Sequence, residues 1–351
     1  MTESPPGRRR QARERAIGFL YEAETKDVHP SEVLDSLPVP PDDFATEITL
    51  GTGDHRHQID HLLDGVGRPK WPLARMAAMD RAVLRLGVYE LAFQTDTPDA
   101  VILSEAADLA TRYSTDDSPK FVNGVLARAA EMIRDEGVWA TPSVLLLDCD
   151  GLFRLWKAEP IHEREASLGL EHGSLFREAF DPELYRQATI GELTAEEWGI
   201  EIARRIEPDA TADRAQLVAE AWTMANWDVD EGFVSVIRRV RESGRVRIAM
   251  LSNATTMLES DLVKMGVAGL LEVVVSSARI GLAKPDEAAY RKAAELVGED
   301  VERILFVDDR AENVEGALAT GLQAVLHSGD AGRFAAVLSR VGILDDQDPA
   351  S

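Results

Sequence analysis

The sequence predicts a multidomain chain, with an all-α helical bundle over residues 1–139 followed by an α/β Rossmann-like domain over residues 143–335. The second domain carries a helical cap at about 152–232, and residues 336–351 form a C-terminal tail. Three observations predict this. Apolar residues of the first half recur at helical spacing, with no convincing strand alternation. The second half alternates short apolar runs with helical segments, as a parallel sheet covered by helices requires. Residues 152–232, between the first two of those runs, carry only helical patterns and read as an insertion.

The first helix covers residues 11–24 and places Ile17, Leu20 and Tyr21 on one face. A second covers 43–66, burying Phe44, Ile48, Ile59, Leu62 and Leu63. A third covers 73–93, burying Met79, Val83, Leu86, Val88 and Leu91. Two more fall near 104–113 and 119–134. Short polar or proline-rich joints such as Pro38-Val39-Pro40-Pro41 support a compact bundle. The pattern changes at Trp139-Ala140-Thr141-Pro142. Strands are then predicted at 144–147, 246–251, 273–276, 304–307 and 323–326.

Composition narrows the function classes. A chain of 351 residues can bury two ordinary cores. Its lone cysteine, Cys149, excludes an internal disulfide framework and fits a reducing compartment. No apolar run approaches the roughly 20 residues that span a bilayer. Arg13, Glu14, Arg15 and Glu22 interrupt any apolar leader, so no secretory signal and a cytoplasmic location are expected. The net charge of -24 argues against a nonspecific nucleic-acid coat, and the basic cluster at residues 8–15 stands out against it.

Four signals carry chemistry in the second half. Asp148-Cys149-Asp150-Gly151 follows the run 144–147, and strand periodicity would project both carboxylates on one side, suiting a nucleophile beside an acid/base. Ser252-Asn253 follows a strand, where a hydroxyl and free N–H groups form an anion cradle. In Lys284-Pro285 the lysine offers a point charge to phosphate and the proline suits a helix's first turn. Asp308-Asp309 ends a further strand with hard oxygen ligands for Mg²⁺. Alone, each has a commonplace reading as a turn, a cap or a solvated lysine. In this order, all at the carboxyl ends of strands, they converge where open α/β sheets bind ligands. Cys149, between the aspartates, reads as core. His162, His172 and His327 lack metal-ligand spacing and read as surface residues.

These motifs, with Phe306-Val-Asp-Asp-Arg-Ala-Glu-Asn-Val-Glu-Gly-Ala317 and Thr194-Ala-Glu-Glu-Trp198, make residues 143–335 resemble the haloacid-dehalogenase-like (HAD) hydrolases. The resemblance implies that Asp148 is a nucleophile forming an aspartyl-phosphate, with Asp150 as acid and then base. It implies that Ser252, Asn253 and Lys284 hold the phosphoryl group. It also implies a Mg²⁺ site made by Asp148 and Asp308, the backbone carbonyl of Asp150, and Asp309 in support. Dehalogenating members lack the second acid, so Asp150 favours a phosphatase acting on a small phosphorylated metabolite.

In the first half, Arg8-Arg-Arg-Gln-Ala-Arg-Glu14, Met79-Asp-Arg-Ala-Val-Leu-Arg-Leu-Gly-Val-Tyr-Glu-Leu91 and Ser118-Pro-Lys-Phe-Val-Asn-Gly-Val-Leu126 make residues 7–135 resemble the NusB antitermination factors. The segment Val101-Ile-Leu-Ser-Glu-Ala106 departs mildly from that family's pattern. The resemblance implies binding of boxA-type RNA together with the small-subunit ribosomal protein NusE. The candidate RNA face is Arg8, Arg9, Arg10, Arg13, Tyr21, Asp80, Arg81, Lys120 and Phe121. The arginines would act as a flexible basic arm, and Tyr21 and Phe121 either stack on bases or belong to the core. Three readings stay open: both halves active, RNA binding beside a silent hydrolase scaffold, or a phosphatase whose helical half only mediates protein contacts.

Overall fold

A computed structural model describes residues 7–67, 72–135, 138–224 and 227–345; the expectations for residues 1–6 and for the tail beyond 345 lie outside these. The chain divides into two compact units, Met1–Thr141 and Pro142–Ser351. Among the described residues, no helix is long and apolar enough to cross a membrane.

Among the described residues, the secondary structure of the first unit is all helical. Its helices are Arg8–Lys26, Pro30–Asp35, Asp43–Asp54, Arg56–Gly67, Ala78–Phe93, Asp99–Tyr113 and Ser118–Arg134, with a 3₁₀ turn at Leu73–Arg75. The helix Ala78–Phe93 is the centre of the bundle and is buried on every side from Ala82 to Leu91, the pattern of a helix enclosed by others. Two of its three buried charges meet an opposite charge. The guanidinium of Arg85 grips Asp60 at 2.6 and 2.9 Å. Glu90 accepts from Arg13 at 2.8–3.0 Å.

The single helix expected at 43–66 is two helices. Gly51 and Gly53 weaken it, and His55 leaves helical geometry at the break, where its ring stacks on Phe93 with centroids 4.3 Å apart. Gly51 cannot be replaced freely, because a Cβ there would lie 2.2 Å from the Tyr89 ring. The short helix Pro30–Asp35 was not expected. The helix expected at 73–93 starts in earnest only at Ala78.

The second unit contains a five-stranded parallel sheet in the order β5-β4-β1-β6-β7. Its strands are β1 (Val144–Leu147), β4 (Arg247–Ser252), β5 (Val273–Ser276), β6 (Ile304–Asp308) and β7 (Gln323–Leu326). β1 is buried throughout and pairs β4 on one side and β6 on the other, with Leu147 opposite Met250 and Val307. Alternate residues feed two cores. Leu145, Leu147, Ile248, Met250, Leu305 and Val307 face one layer of helices. Val144, Leu146, Ala249, Leu251, Ile304 and Phe306 face the other. Full burial of each of these side chains larger than alanine contributes about 1.5–3 kcal/mol.

Two expectations need correcting. The cap region is not purely helical: β2 (Arg154–Trp156) and β3 (Trp227–Val229) pair antiparallel and form a stalk beneath the helices Glu159–Leu168, Ser174–Ala179, Pro182–Thr189, Ala195–Ile206 and Ala212–Thr223. The strands are three residues each, too short to show an alternating pattern. The core also continues past residue 335, since the helix Ala331–Arg340 buries Phe334, Val337 and Leu338, and Ile343 and Leu344 join the same cluster. The cap has its own core of Ile161, Leu175, Leu184, Trp198, Ile202 and Trp222. Thr194-Ala-Glu-Glu197 starts one of its helices as a capping box, with Thr194 and Glu197 each bonding the other's backbone N–H.

Candidate functional site

Three parallel strands end side by side, and each end carries a polar side chain singled out from the sequence. Ser252 closes β4, Asp308 closes β6, and Asp148 follows β1, its N–H donating to the Val307 carbonyl at 3.0 Å. Lys284 arrives on the loop after the short helix Ser277–Ile280 that follows β5. Its ammonium group lies 2.9 Å from Asp148 Oδ1 and 2.5 Å from Asp308 Oδ2, and all three side chains are buried.

The loop bearing Lys284 is fixed by Asn253, whose amide donates to the Lys284 carbonyl and accepts from the Lys284 N–H, both at 2.8 Å. The Asn253 side chain thus orients Lys284 with one of its N–H groups and its carbonyl oxygen. The Lys284-Pro285 bond is cis, and the next helix begins only at Glu287, so Pro285 does not start a helix as expected.

Asp308 is held from behind. Asn313 Nδ2 donates to both its oxygens at 3.0 and 3.1 Å, and the Arg310 N–H adds a bond of 2.9 Å. Tyr290 in turn donates to the Asn313 carbonyl at 2.7 Å. One oxygen each from Asp148, Asp308 and Asp309 lie within 4.8 Å of one another. Gly151, at φ +75°, lets the loop pass this cluster, because a Cβ would fall 2.0 Å from Asp309 Oδ2. This donor set of hard carboxylate oxygens fits Mg²⁺, with Lys284 supplying one positive charge against three negative ones.

Burial pushes the Asp148 carboxyl up to about 7 against the pull of Lys284, and Asp308 and Asp150 push in the same direction. Burial, with Asp308 beside it, also raises Asp309. Burial works against a charged Lys284, but Asp148 and Asp308 outweigh it and hold the ammonium protonated. Ser252 Oγ is buried without a hydrogen-bond partner, beside this cluster in the strand order.

Asp150 is not part of the carboxylate cluster. β1 ends at Leu147, so the period-two argument stops before Asp150, and the turn at Gly151 redirects the chain. Its carboxylate accepts from Arg154 Nε at 2.6 Å, Arg154 Nη2 at 3.1 Å and Trp156 Nε1 at 2.7 Å. Its side chain is thus directed to the cap stalk and not to the other carboxylates. Arg154 also reaches Asp261 at 2.9 Å. Neither Arg154 nor Trp156 was singled out from the sequence; they sit on β2, which the sequence did not reveal. Asn313 lay within a quoted motif, but nothing there marked it as the Asp308 anchor. Cys149 is buried as expected. His162 is half-buried, and His327 is buried against Phe233 and Phe334, contrary to expectation.

The helical unit treats its candidate residues differently. Arg8 and Arg9 are exposed, but they begin the helix Arg8–Lys26, so no flexible arm starts at Arg8. Arg9 lies over the Phe44 ring at 5.1 Å, and Arg10 pairs with Asp108 at 2.8 Å. Arg13 is only 3% exposed and is bound to Glu90. Asp80 is buried and accepts from Ser118 Oγ at 2.9 Å. Arg81 is held by Glu24 at 2.7 Å and by the Met76 carbonyl at 2.5 Å. Tyr21 and Lys120 are exposed, whereas Phe121 packs half-buried against the bundle core.

Comparisons with known proteins agree with this division. The NusB family model matches residues 10–131, and the haloacid dehalogenase-like hydrolase model matches residues 144–321. Transcription antitermination protein NusB of Kineococcus radiotolerans is 43% identical over 128 residues, covering 35% of this chain and 93% of its own length. The NusB of Saccharopolyspora erythraea is 44% identical over 130 residues, covering 35% and 87%. Among solved structures, a HAD family enzyme of Bacteroides thetaiotaomicron in complex with magnesium and inorganic phosphate covers 54% of this chain and 95% of its own, with 18% identity and a TM-score of 0.45. T. maritima NusB covers 37% and 93%, with 35% identity and a TM-score of 0.33. The chain belongs to the haloacid dehalogenase-like hydrolases and carries a NusB-family domain ahead of its hydrolase domain.

Proposed function

We propose that the hydrolase unit is a Mg²⁺-dependent phosphatase acting on a small phosphorylated metabolite through an aspartyl-phosphate on Asp148. The observation that carries this reading is the convergence of Asp148, Lys284, Asp308 and Asp309, with Ser252 at the adjacent strand end.

Asp148 and Asp308, with Asp309 beside them, would hold Mg²⁺, which when bound offsets the repulsion between an anionic nucleophile and an anionic phosphate. A carboxylate oxygen of Asp148 attacks phosphorus, the ester P–O bond breaks, and Asp150 gives its proton to the leaving oxygen. Water then attacks the aspartyl-phosphate, passing a proton to Asp150 and returning the Asp148 carboxylate with release of phosphate. Lys284 and the unpartnered Ser252 hydroxyl bind the transferring oxygens. Arg154 and Trp156 hold the Asp150 carboxylate on the cap stalk, and its side chain has to turn from there to make both proton transfers.

The helical unit, by its likeness to NusB antitermination proteins, binds boxA-type RNA with a NusE-type partner. Arg8, Arg9, Tyr21 and Lys120 form the accessible part of that face. Release of inorganic phosphate from a panel of metabolite esters tests the first proposal. Turnover with Mg²⁺ that is lost with chelator and in Asp148→Asn supports it. No turnover of any ester favours the silent scaffold.

A further inference from the structure

A cavity of about 290 Å³ opens from the acid/base Asp150 and from Asn253, next to Ser252, into the space beneath the cap helices. In the phosphatase reading the leaving group occupies this space, because Asp150, its proton donor, lines it. Its walls are rich in aromatic rings: Trp156, Phe180, Tyr185, Trp198, Trp222 and Trp227 all line it. Phe180 stands 5.3 Å from Tyr185 and 6.0 Å, edge-on, from Trp222, which meets Trp198 at 5.3 Å and 87°.

Two further observations indicate what fits. First, large apolar side chains that are left exposed gather here: Trp156 at 54%, Phe180 at 53%, Met224 at 55% and Met257 at 40% exposure all line this cavity. Exposed apolar surface concentrated in one concavity marks a ligand site. Second, the charged side chains of the wall and several of its neutral polar ones already have partners, while the indole N–H of Trp198 is buried without one. Arg154 is bound to Asp150 and Asp261, Lys157 to Asp228, and Lys264 to Asp261. Asn253 is bound to the Lys284 backbone, Thr189 to the Tyr185 carbonyl and Thr223 to the Ala219 carbonyl. A polyhydroxy leaving group would lose its water here and regain few partners, chiefly the single Trp198 N–H.

Resting on the phosphatase reading, we infer that the substrate is a phosphate monoester whose leaving alcohol carries a planar aromatic or comparably apolar body. That body stacks among Trp156, Phe180 and Trp222 while its phosphate lies at Asp148. A sugar or polyol phosphate is disfavoured by the same walls.

Calorimetry on the full chain with Mg²⁺ compares two non-hydrolysable probes, naphthylmethylphosphonate and dihydroxypropylphosphonate. The aromatic probe is expected to bind at least ~10-fold more tightly. Phe180→Ala, at a half-exposed position where truncation spares the fold, is expected to remove most of that preference. Equal affinities, tighter binding of the polyol probe, or no binding of either overturns the inference. Turnover of the corresponding esters is read separately. Failure to hydrolyse both contradicts the phosphatase reading, whereas faster hydrolysis of the polyol ester contradicts the leaving-group inference and leaves that reading intact.

Discussion

In the hydrolase unit, Asp148, Ser252, Lys284 and Asp308 lie far apart in sequence yet gather at adjoining strand ends, and Lys284 touches both aspartates. In the helical unit, Arg13, Asp80 and Arg81 lie in motifs just as well marked, yet each is tied to a different internal partner: Glu90, Ser118 and Glu24. The difference follows from architecture. A parallel sheet delivers every strand's carboxyl end to one edge, so polar residues there meet without packing against helices. A bundle whose central helix is enclosed can keep a charged residue only by pairing it. A charged motif therefore reads as chemistry at a strand end, and as structure within the bundle until exposure shows otherwise.

The largest effect that would break or sharpen this contrast is on catalysis. Asp148→Asn should lower phosphate release by at least ~10³-fold while leaving the thermal transition of the chain in place. Loss of folding instead of loss of turnover would mean that the strand-end aspartate is structural too. Next comes Arg13→Met, which strands a buried Glu90 carboxylate. Unfolding in denaturant should show a loss of about 3–5 kcal/mol, and a change within experimental error would return Arg13 to the RNA face.

A smaller effect falls on the cap, where fully buried Glu165 accepts from the N–H groups of Gly173 at 2.7 Å and Leu175 at 2.8 Å and bonds His162 at 2.9 Å. Burial alone would raise its carboxyl, but the bonds from His162, Gly173 and Leu175 outweigh it, so the pKa lies below the ordinary glutamate value. Its contribution is thus complete above the unfolded value and fades as pH falls through the lowered one. Glu165→Gln should cost about 1–3 kcal/mol near neutrality, and the difference from the parent chain should shrink in acid. A pH-independent difference would contradict this assignment. The smallest expected change is in Arg8→Ala and Arg9→Ala, which should shift stability by less than ~0.5 kcal/mol. Each of these arginines that neutralises an RNA phosphate should, when replaced, lower the salt slope of boxA-type RNA binding by about 0.7. An unchanged slope in both variants would remove them from the RNA face.

Much of this was legible in the sequence because it was periodic or local. Buried strands such as Val144–Leu147 read as unbroken apolar runs, and Asp148, Ser252 and Asp308 could be placed simply by counting to their ends. What escaped was non-local or too short to show a period. The β2–β3 stalk has three-residue strands separated by the whole cap, so Arg154 and Trp156 gave no sign that they would hold Asp150. The Arg13–Glu90 pair spans two helices, and composition cannot tell a buried guanidinium from a solvated one. His327 looked like a surface residue because nothing near it in sequence announces the ring of Phe233.

The central claim is that Asp148 carries the phosphoryl group. Acid quench of the full chain during turnover with Mg²⁺, followed by mass analysis of its peptides, tests it most directly. The account predicts one added phosphoryl group on the peptide containing Asp148, absent from Asp148→Asn, which also releases no phosphate. Steady phosphate release with that peptide unmodified at every quench time, and with Asp148→Asn still active, would contradict it.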